Sequence, residues 1–318
     1  MIFMTKQILS CDWGTSGFRL RLVNVMDSTV LNEIRNEQGI AAVYNKWIEN
    51  NQPESRRLAF YKHVLQTTLD AYFTKDIKDI PIIISGMASS TIGMKELSYS
   101  ELPFDLENMN LEIESIKADK DFSHDIFLVS GLRTVNDVMR GEETMLLGCD
   151  IDKDEETLVI FPGTHSKHVV VKNNIAIDFK TYMTGEVFDL LASKSILSKS
   201  VEKNSNDNEN IFIDGVEEGS KNNLLNSSFH VRTNHLFKKY GGSENYHFLS
   251  GLVIGCELKE VIATHGNICL VCSNNLLKNY ATALQIVAPA TPVKFHNADQ
   301  ALIKAHCRLF RANKIYLP

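Results

Sequence analysis

The sequence contains no apolar run approaching the roughly 20 residues that a membrane-spanning helix requires. With 44% hydrophobic and 23% charged residues, it has the composition of a soluble globular protein. Its opening, Met1-Ile2-Phe3-Met4-Thr5-Lys6, has neither a basic region ahead of the apolar residues nor a small-residue cleavage site, so a secretory signal is not read and a cytoplasmic location is expected. Positive charge is not in excess: the formal net charge is -6, which argues against nonspecific binding to nucleic acid or to an anionic membrane. The six cysteines are scattered through apolar sequence. Cys269-Leu270-Val271-Cys272 lies in strand-like sequence without a second pair to complete a zinc site, so buried, reduced thiols are expected. The sequence also lacks H-E-x-x-H, an EF-hand loop, a G-x-S-x-G elbow, the P-loop with its Gly-Lys-Ser/Thr ending, and G-x-G-x-x-G. These absences exclude the zincin, calcium-hand and hydrolase-elbow signatures and the two commonest nucleotide-binding turns.

Two unusual turns are present. Ile8 to Cys11 reads as a strand that enters Asp12-Trp13-Gly14-Thr15-Ser16-Gly17, and Phe18 to Val23 alternates as the strand leaving it. Much later, Val159-Ile160-Phe161 enters Pro162-Gly163-Thr164-His165-Ser166-Lys167, and Val169 to Val171 leaves it. Either turn alone reads equally well as an ordinary hairpin. Glycine, however, lets backbone approach a ligand, and Thr and Ser offer hydroxyls and amides to phosphate oxygens. Asp12, at a strand end, is placed to hold a hydrated magnesium ion. His165 and Lys167 are read as an exposed strand end.

A length of 318 residues suits two domains of roughly 150 each. Residues 28–36 read as a third strand, followed by a polar loop and by a helix from about Glu54 to Phe73 with Leu58, Tyr61, Leu65 and Leu69 on one face. The strand Pro81 to Ile84 empties into Ser85-Gly86-Met87-Ala88-Ser89-Ser90, small residues of the sort that border a ligand crevice. After a strand at Ile126 to Val129, Arg140-Gly141-Glu142-Glu143 places two acids in the first turn of a helix, where the dipole keeps a carboxylate ionised, as a general base must be. A strand over 175–181 precedes a helix opened by Met183-Thr184-Gly185-Glu186. Residues 198–210 read as an exposed loop, and helices fill most of 211–263, with Gly251 and Gly255 permitting close packing. A strand over 268–272, a helix over 274–286 and an amphipathic helix from about Asp299 complete the chain.

This duplicated plan, with one glycine turn per half, resembles the actin-like ATPase and sugar kinase superfamily. More narrowly, six motifs in order resemble the 2-dehydro-3-deoxygalactonokinase family: Asp12 to Ser16 with Arg19, Ser85-Gly86-Met87, Arg140 to Thr144, Pro162 to Lys167, Met183 to Glu186, and Phe248-Leu249-Ser250-Gly251-Leu252. The resemblance implies an α/β fold of two ribonuclease H-like domains, residues 1–148 binding sugar acid and 149–318 binding nucleotide, with the active site in the interdomain cleft. It implies ATP-dependent, magnesium-assisted phosphorylation of the 6-hydroxyl of 2-dehydro-3-deoxy-D-galactonate or a close 2-keto-3-deoxy sugar acid. Glu142 would be the base, with Glu143 as its substitute, and Asp12 would orient magnesium through water. Gly14, Thr15, Ser16, Gly163 and Thr164 would hold phosphate. Arg19, Ser85, Gly86, Met87, Arg140 and Glu143 would meet the sugar acid. The family's adenosine segment falls at Val271 to Tyr280, with Ser273 where glycine is usual. Met94 and His168 replace expected aromatics and Gly17 stands where Asn is common, which leaves the exact sugar acid open. A homodimer is compatible with the family. The readings held beside the kinase are a phosphohydrolase of the same superfamily and a non-catalytic sugar-acid sensor that kept the fold.

Overall fold

Alternation in Gln7-Ile8-Leu9-Ser10-Cys11-Asp12-Trp13 sends Leu9, Cys11 and Trp13 to one face of a strand and Ser10 and Asp12 to the other. The computed structural model, which describes residues 7–73, 77–203, 208–261 and 266–312, builds its first unit around that strand. Residues 1–6, and residues 204–207 of the loop expected over 198–210, lie outside the described residues. The first unit contains β1 (Gln7–Trp13), β2 (Phe18–Asn24), β3 (Val30–Asn36), α1 (Ile40–Glu49), α2 (Arg57–Tyr72), β4 (Ile82–Gly86), β5 (Ser100–Glu101), β6 (Phe104–Asp105), β7 (Ile113–Ile116), β8 (Ile126–Val129), β9 (Leu132–Arg133), β10 (Val138–Met139) and α3 (Glu142–Leu147). Its main sheet runs β3-β2-β1-β4-β8-β7. β2 is antiparallel to β1 and β3, whereas β4 lies parallel to β1 and to β8.

Leu9, Cys11 and Trp13 pack with Leu20, Ile84, Tyr61, Leu65 and Leu69 in one apolar cluster, so α2 covers that face of the sheet. The opposite face is polar. Ser10 is the register partner of Arg21, and Asp12 is the partner of both Arg19 and Ser85, and register partners project to the same side. Helix α1 replaces the polar loop expected after β3. Its buried Ile40, Val43 and Trp47 recur at helical spacing, but Gly39 offers no side-chain cap to announce the start.

The second unit contains β11 (Thr157–Phe161), β12 (Ser166–Lys172), β13 (Ile175–Tyr182), α4 (Thr184–Ser193), α5 (Glu209–Lys221), α6 (Leu224–Ser228), α7 (His230–Leu236), α8 (Gly242–Leu258), β14 (Asn267–Cys272), α9 (Asn274–Val287) and β15 (Val293–Asn297). Its strands lie in the order β13-β12-β11-β14-β15, which repeats the β3-β2-β1-β4-β8 order of the first unit. The hands of pairing repeat too, since β11 is antiparallel to β12 and parallel to β14, which is parallel to β15. Helices α5 and α8 pack backbone to backbone through Gly215 and Gly219 on one and Gly251 and Gly255 on the other, the close approach expected of the latter pair.

The last helix, α10 (Ala298–Arg311), belongs to the first unit, as does Asn174–Asp178, so that only Phe179–Tyr182 of β13 belongs to the second unit; Ile175 and Ala176 at the start of that strand pair with β6. The units are therefore discontinuous in sequence, unlike the two successive blocks 1–148 and 149–318. The physical reason is that α10 carries polar side chains matched to the polar face of the first sheet. All six cysteines are free, and Cys269 and Cys272 are buried in β14. Among the described residues, none of the helices is long and apolar enough to cross a membrane.

Candidate active site

Asp12 closes β1 at a point where the chain turns back on itself, Gly14 N donating to Gly17 O at 2.9 Å. Thr15 and Ser16 are exposed at the tip. The amides of Ile40 and Ala41 donate to the carbonyls of Gly14 and Thr15 at 2.9 and 3.1 Å, fastening the start of α1 to the turn. Gly39 permits this approach: a Cβ there would lie 2.4 Å from Thr15 O and from Ser16 C. Arg19 Nη1 donates to Asp12 Oδ2 at 2.8 Å, and their side chains are 43% and 28% exposed. Burial raises the Asp12 carboxyl above its ordinary value, with Arg19 opposing it.

The two acids of α3 take opposite positions. Glu142 is half-buried, and its Oε2 accepts the Arg140 N–H at 3.1 Å. Glu143 is 1% exposed. Both its oxygens accept Gly141 N–H, at 2.9 and 2.7 Å, and Oε1 also accepts Thr144 Oγ1 at 2.9 Å. Burial first, and then the charge of Glu142, push Glu143 up to about 7. The Arg140 guanidinium grips the small-residue segment, donating from Nη1 to Ser89 O at 2.7 Å and to Ser89 Oγ at 2.6 Å, while it stacks on Tyr99. Ser85 is buried and bonded to Thr144, whereas Met87 is half-buried; Gly86 between them holds a φ of 95°.

In the second unit, Thr164 and His165 are exposed at the turn, and Glu186 N donates to Thr164 O at 3.2 Å. Gly185 plays the part of Gly39, since a Cβ there would lie 2.8 Å from Thr164 Cα and 2.9 Å from Gly163 O. His165 Nε2 pairs with Glu186 Oε2 at 2.5 Å. Lys167, expected at an exposed strand end, is instead buried, with its ammonium donating to His165 O at 2.8 Å. Gly163 and Gly185 line a cavity of about 290 Å³ together with Tyr246, His247, Asn275 and Tyr280, near the lower end for small-molecule sites. Ser273 caps α9 with φ -75°, a value open to any residue, so the backbone here does not require the family's usual glycine.

Sequence reading missed the residue on which this turn rests. Glu257 is buried on α8 and accepts Tyr280 OH at 2.7 Å, Thr184 Oγ1 at 2.5 Å and His168 Nε2 at 2.9 Å. Since Tyr280 donates to Glu257, its oxygen accepts from Ser166 Oγ at 3.1 Å, and Ser166 in turn accepts Gly163 N–H at 3.3 Å. The available signal was an acid six residues beyond Gly251 in an apolar helix. Among the described residues there is no cluster of three or more His, Cys, Asp or Glu able to hold a metal. One half-buried carboxylate beside exposed hydroxyls fits instead a magnesium ion that arrives with phosphate and keeps its waters.

The family model for 2-keto-3-deoxy-galactonokinase matches residues 12–309. A curated Rhizobium meliloti (strain 1021) protein, named "Probable 2-dehydro-3-deoxygalactonokinase", is 34% identical over 305 residues, covering 92% of each chain. The 2-dehydro-3-deoxygalactonokinase of Escherichia coli (strain K12) is 28% identical over 311 residues, covering 95% of this chain and 98% of that one. A crystal structure from Sinorhizobium meliloti, described by the same kinase name, superposes with a TM-score of 0.80 at 31% identity, covering 98% of this chain and 97% of that one. The repeated strand order is that of the actin-like ATPase and sugar kinase fold. Together with the match across nearly the whole length, it establishes that this chain belongs to the 2-keto-3-deoxy-galactonokinase family of sugar-acid kinases.

Proposed function

We propose that the protein transfers the terminal phosphoryl group of ATP to the 6-hydroxyl of 2-dehydro-3-deoxy-D-galactonate or a close 2-keto-3-deoxy sugar acid. The observation that carries this reading is the separation of the two acids on α3, which leaves Glu142 as the half-exposed carboxylate while Glu143 is buried and committed to Gly141 and Thr144. Glu142 accepts the proton of the attacking hydroxyl; Glu143 holds the start of its helix. Phosphoryl transfer asks mainly for positioning and for neutralisation of charge. The turn of Gly14, Thr15 and Ser16 and the turn of Gly163 and Thr164 offer amides and hydroxyls to phosphate oxygens. Magnesium, when bound with the nucleotide, neutralises phosphate charge, and Asp12 orients its water shell. The nucleoside is assigned to the cavity bordered by Asn275 and Tyr280, with Ser273 at its helix cap. Arg19 keeps solvent-facing surface and pairs with the substrate carboxylate. Arg140, with Nη1 donating to Ser89 and its guanidinium plane over the Tyr99 ring, supports Ser85, Gly86 and Met87 as a wall of the sugar-acid site.

The test is to incubate the protein with magnesium, ATP and a panel of sugar acids while following ADP. Release that depends on a 2-keto-3-deoxy sugar acid is expected; release without any sugar acid marks a hydrolase, and its absence throughout marks a sensor. Asp12→Asn should weaken activity and shift the magnesium titration together, and an unchanged titration removes Asp12 from the metal role.

A further inference from the structure

Under the Asp12 turn, five buried side chains from four elements form one unbranched series of hydrogen bonds. Ser10 Oγ lies 2.8 Å from His306 Nδ1, and His306 Nε2 lies 2.9 Å from Ser85 Oγ. Ser85 Oγ is 3.0 Å from Thr144 Oγ1, which is 2.9 Å from Glu143 Oε1. Counting donors gives the series a direction. Above about pH 7, where the Glu143 carboxylate is ionised and only accepts, Thr144 donates its single proton to Glu143 and must accept from Ser85. Ser85 has then used its own proton and must accept from His306, which therefore carries hydrogen on Nε2. The bare Nδ1 accepts from Ser10.

We propose that His306 is a positioning residue for phosphoryl transfer: as a neutral imidazole protonated on Nε2, it registers the strands that bear Asp12 and Ser85 against the helix start that bears Glu142. The proposal rests on the kinase reading of Asp12 and Glu142. Its geometry follows from the sheet. Ser10 and Asp12 share one face of β1, and Ser85 is the register partner of Asp12 on β4. Glu143, at the far end, holds the Gly141 amide with both oxygens, so a displacement anywhere in the series is felt at the residue beside Glu142. Helix α10 is itself held at both ends. Asp299 accepts Arg21 Nη2 at 2.7 Å and Arg35 Nη2 at 3.0 Å, and Arg308 Nη1 donates to Leu147 O at the end of α3 at 3.1 Å. Burial, followed by the charge of Arg21, lowers His306 to about 3, which keeps the ring neutral at ordinary pH. Stability alone does not call for this arrangement, because an apolar replacement of matching shape is often neutral or better. A fixed direction serves orientation, where an error of about 1 Å costs on the order of 100-fold in rate.

The test uses the full-length protein labelled with ¹⁵N-histidine at pH 8, with His306 assigned by loss of its signals in His306→Gln. Expected are a protonated Nε2 and a bare, hydrogen-bonded Nδ1; a cationic ring or protonation on Nδ1 overturns the proposal. In ADP-release kinetics, His306→Gln and Thr144→Val should each lower kcat about 10- to 100-fold while KM for ATP and for the sugar acid stays near wild type. The double variant should be no slower than the slower single, since the residues act as a unit. Unchanged kcat in a folded variant, or losses confined to KM, overturns the role. Should His306→Gln not fold, Ser10→Ala carries the kinetic test, because it removes only the terminal donor. A wild-type protein without sugar-acid-dependent ADP release refutes the kinase reading, and the positioning role with it, while the tautomer result stands separately.

Discussion

Two glycine turns, each clamped by a helix start at Gly39 or Gly185, rest on buried polar supports of different design. In the first unit the support is a single path, Ser10 to His306 to Ser85 to Thr144 to Glu143, in which each internal member has one neighbour on either side. In the second it converges, with His168, Thr184 and Tyr280 all meeting Glu257. A path fails wherever it is cut. A hub survives loss of a spoke but not loss of its centre. The path leads to the helix start that carries the proposed base, and the hub leads through Tyr280 and Ser166 to the Gly163 amide. Precision of chemistry and retention of nucleotide should therefore separate by unit, and the following substitutions are ways to break or sharpen that division.

The largest effect is expected at the acid next to the path. Glu142→Gln should lower kcat by about two to four orders of magnitude while substrate KM values stay close to wild type. Steady-state kinetics would remove Glu142 as base if turnover were near normal. At the hub, Glu257→Gln keeps the shape but sets an amide N–H₂ among donors. It should cost about 3 kcal/mol of stability, measured by urea unfolding, and should raise the KM for ATP more than it lowers kcat. A variant of full stability, or one impaired mainly in kcat, would erase the distinction between the supports.

Titration offers a third contrast, within the path itself. Glu143 is raised from 4.5 to about 7, so between those values the folded state holds a proton that the unfolded state has released, and stability falls as pH rises by up to about 3 kcal/mol. His306 is lowered from 6.5 to about 3, so across that window the unfolded state holds the extra proton, and stability rises with pH by up to about 5 kcal/mol. Between pH 4.5 and 6.5 the two slopes oppose one another. His306→Gln removes the rising contribution, so its urea midpoint should decline from pH 4.5 to 7 relative to wild type. Parallel midpoint curves would show that these groups do not titrate as the burial argument requires.

What was legible in the sequence was whatever is written locally. The turns at Asp12 to Ser16 and at Gly163 to Thr164 announce themselves because strand alternation stops at Gly, Thr and Ser within a few residues. The acids Glu142 and Glu143 were equally visible, but which of them faces solvent depends on packing that two adjacent letters do not record. His306 bonds Ser10 across 296 positions, and Glu257 bonds His168 across 89, so neither role has a local signature. The fate of Arg140 was hidden for a related reason, since its guanidinium is taken up by backbone oxygen at Ser89. The strands β5, β6, β9 and β10 have two residues each, too few for alternation to be seen, and α1 begins at Gly39 without a side-chain cap.

The smallest effect is expected where a spoke is removed and the hub remains. Tyr280→Phe deletes one donor to Glu257 and leaves Thr184 and His168 in place, so the buried carboxylate still has two partners. Ser166 loses its acceptor but keeps the Gly163 amide. The cost should be about 1 kcal/mol of stability, with a modest rise in the KM for ATP because the ring borders the cavity. Thr144→Val, also a single hydroxyl deletion, cuts the path instead: Ser85 loses its acceptor and Glu143 loses its side-chain donor. It should therefore lower kcat more than Tyr280→Phe does, although both remove one hydroxyl. Equal kcat values in the two variants, measured at saturating substrates, would mean that path and hub are interchangeable supports and that the difference in their connectivity has no kinetic consequence.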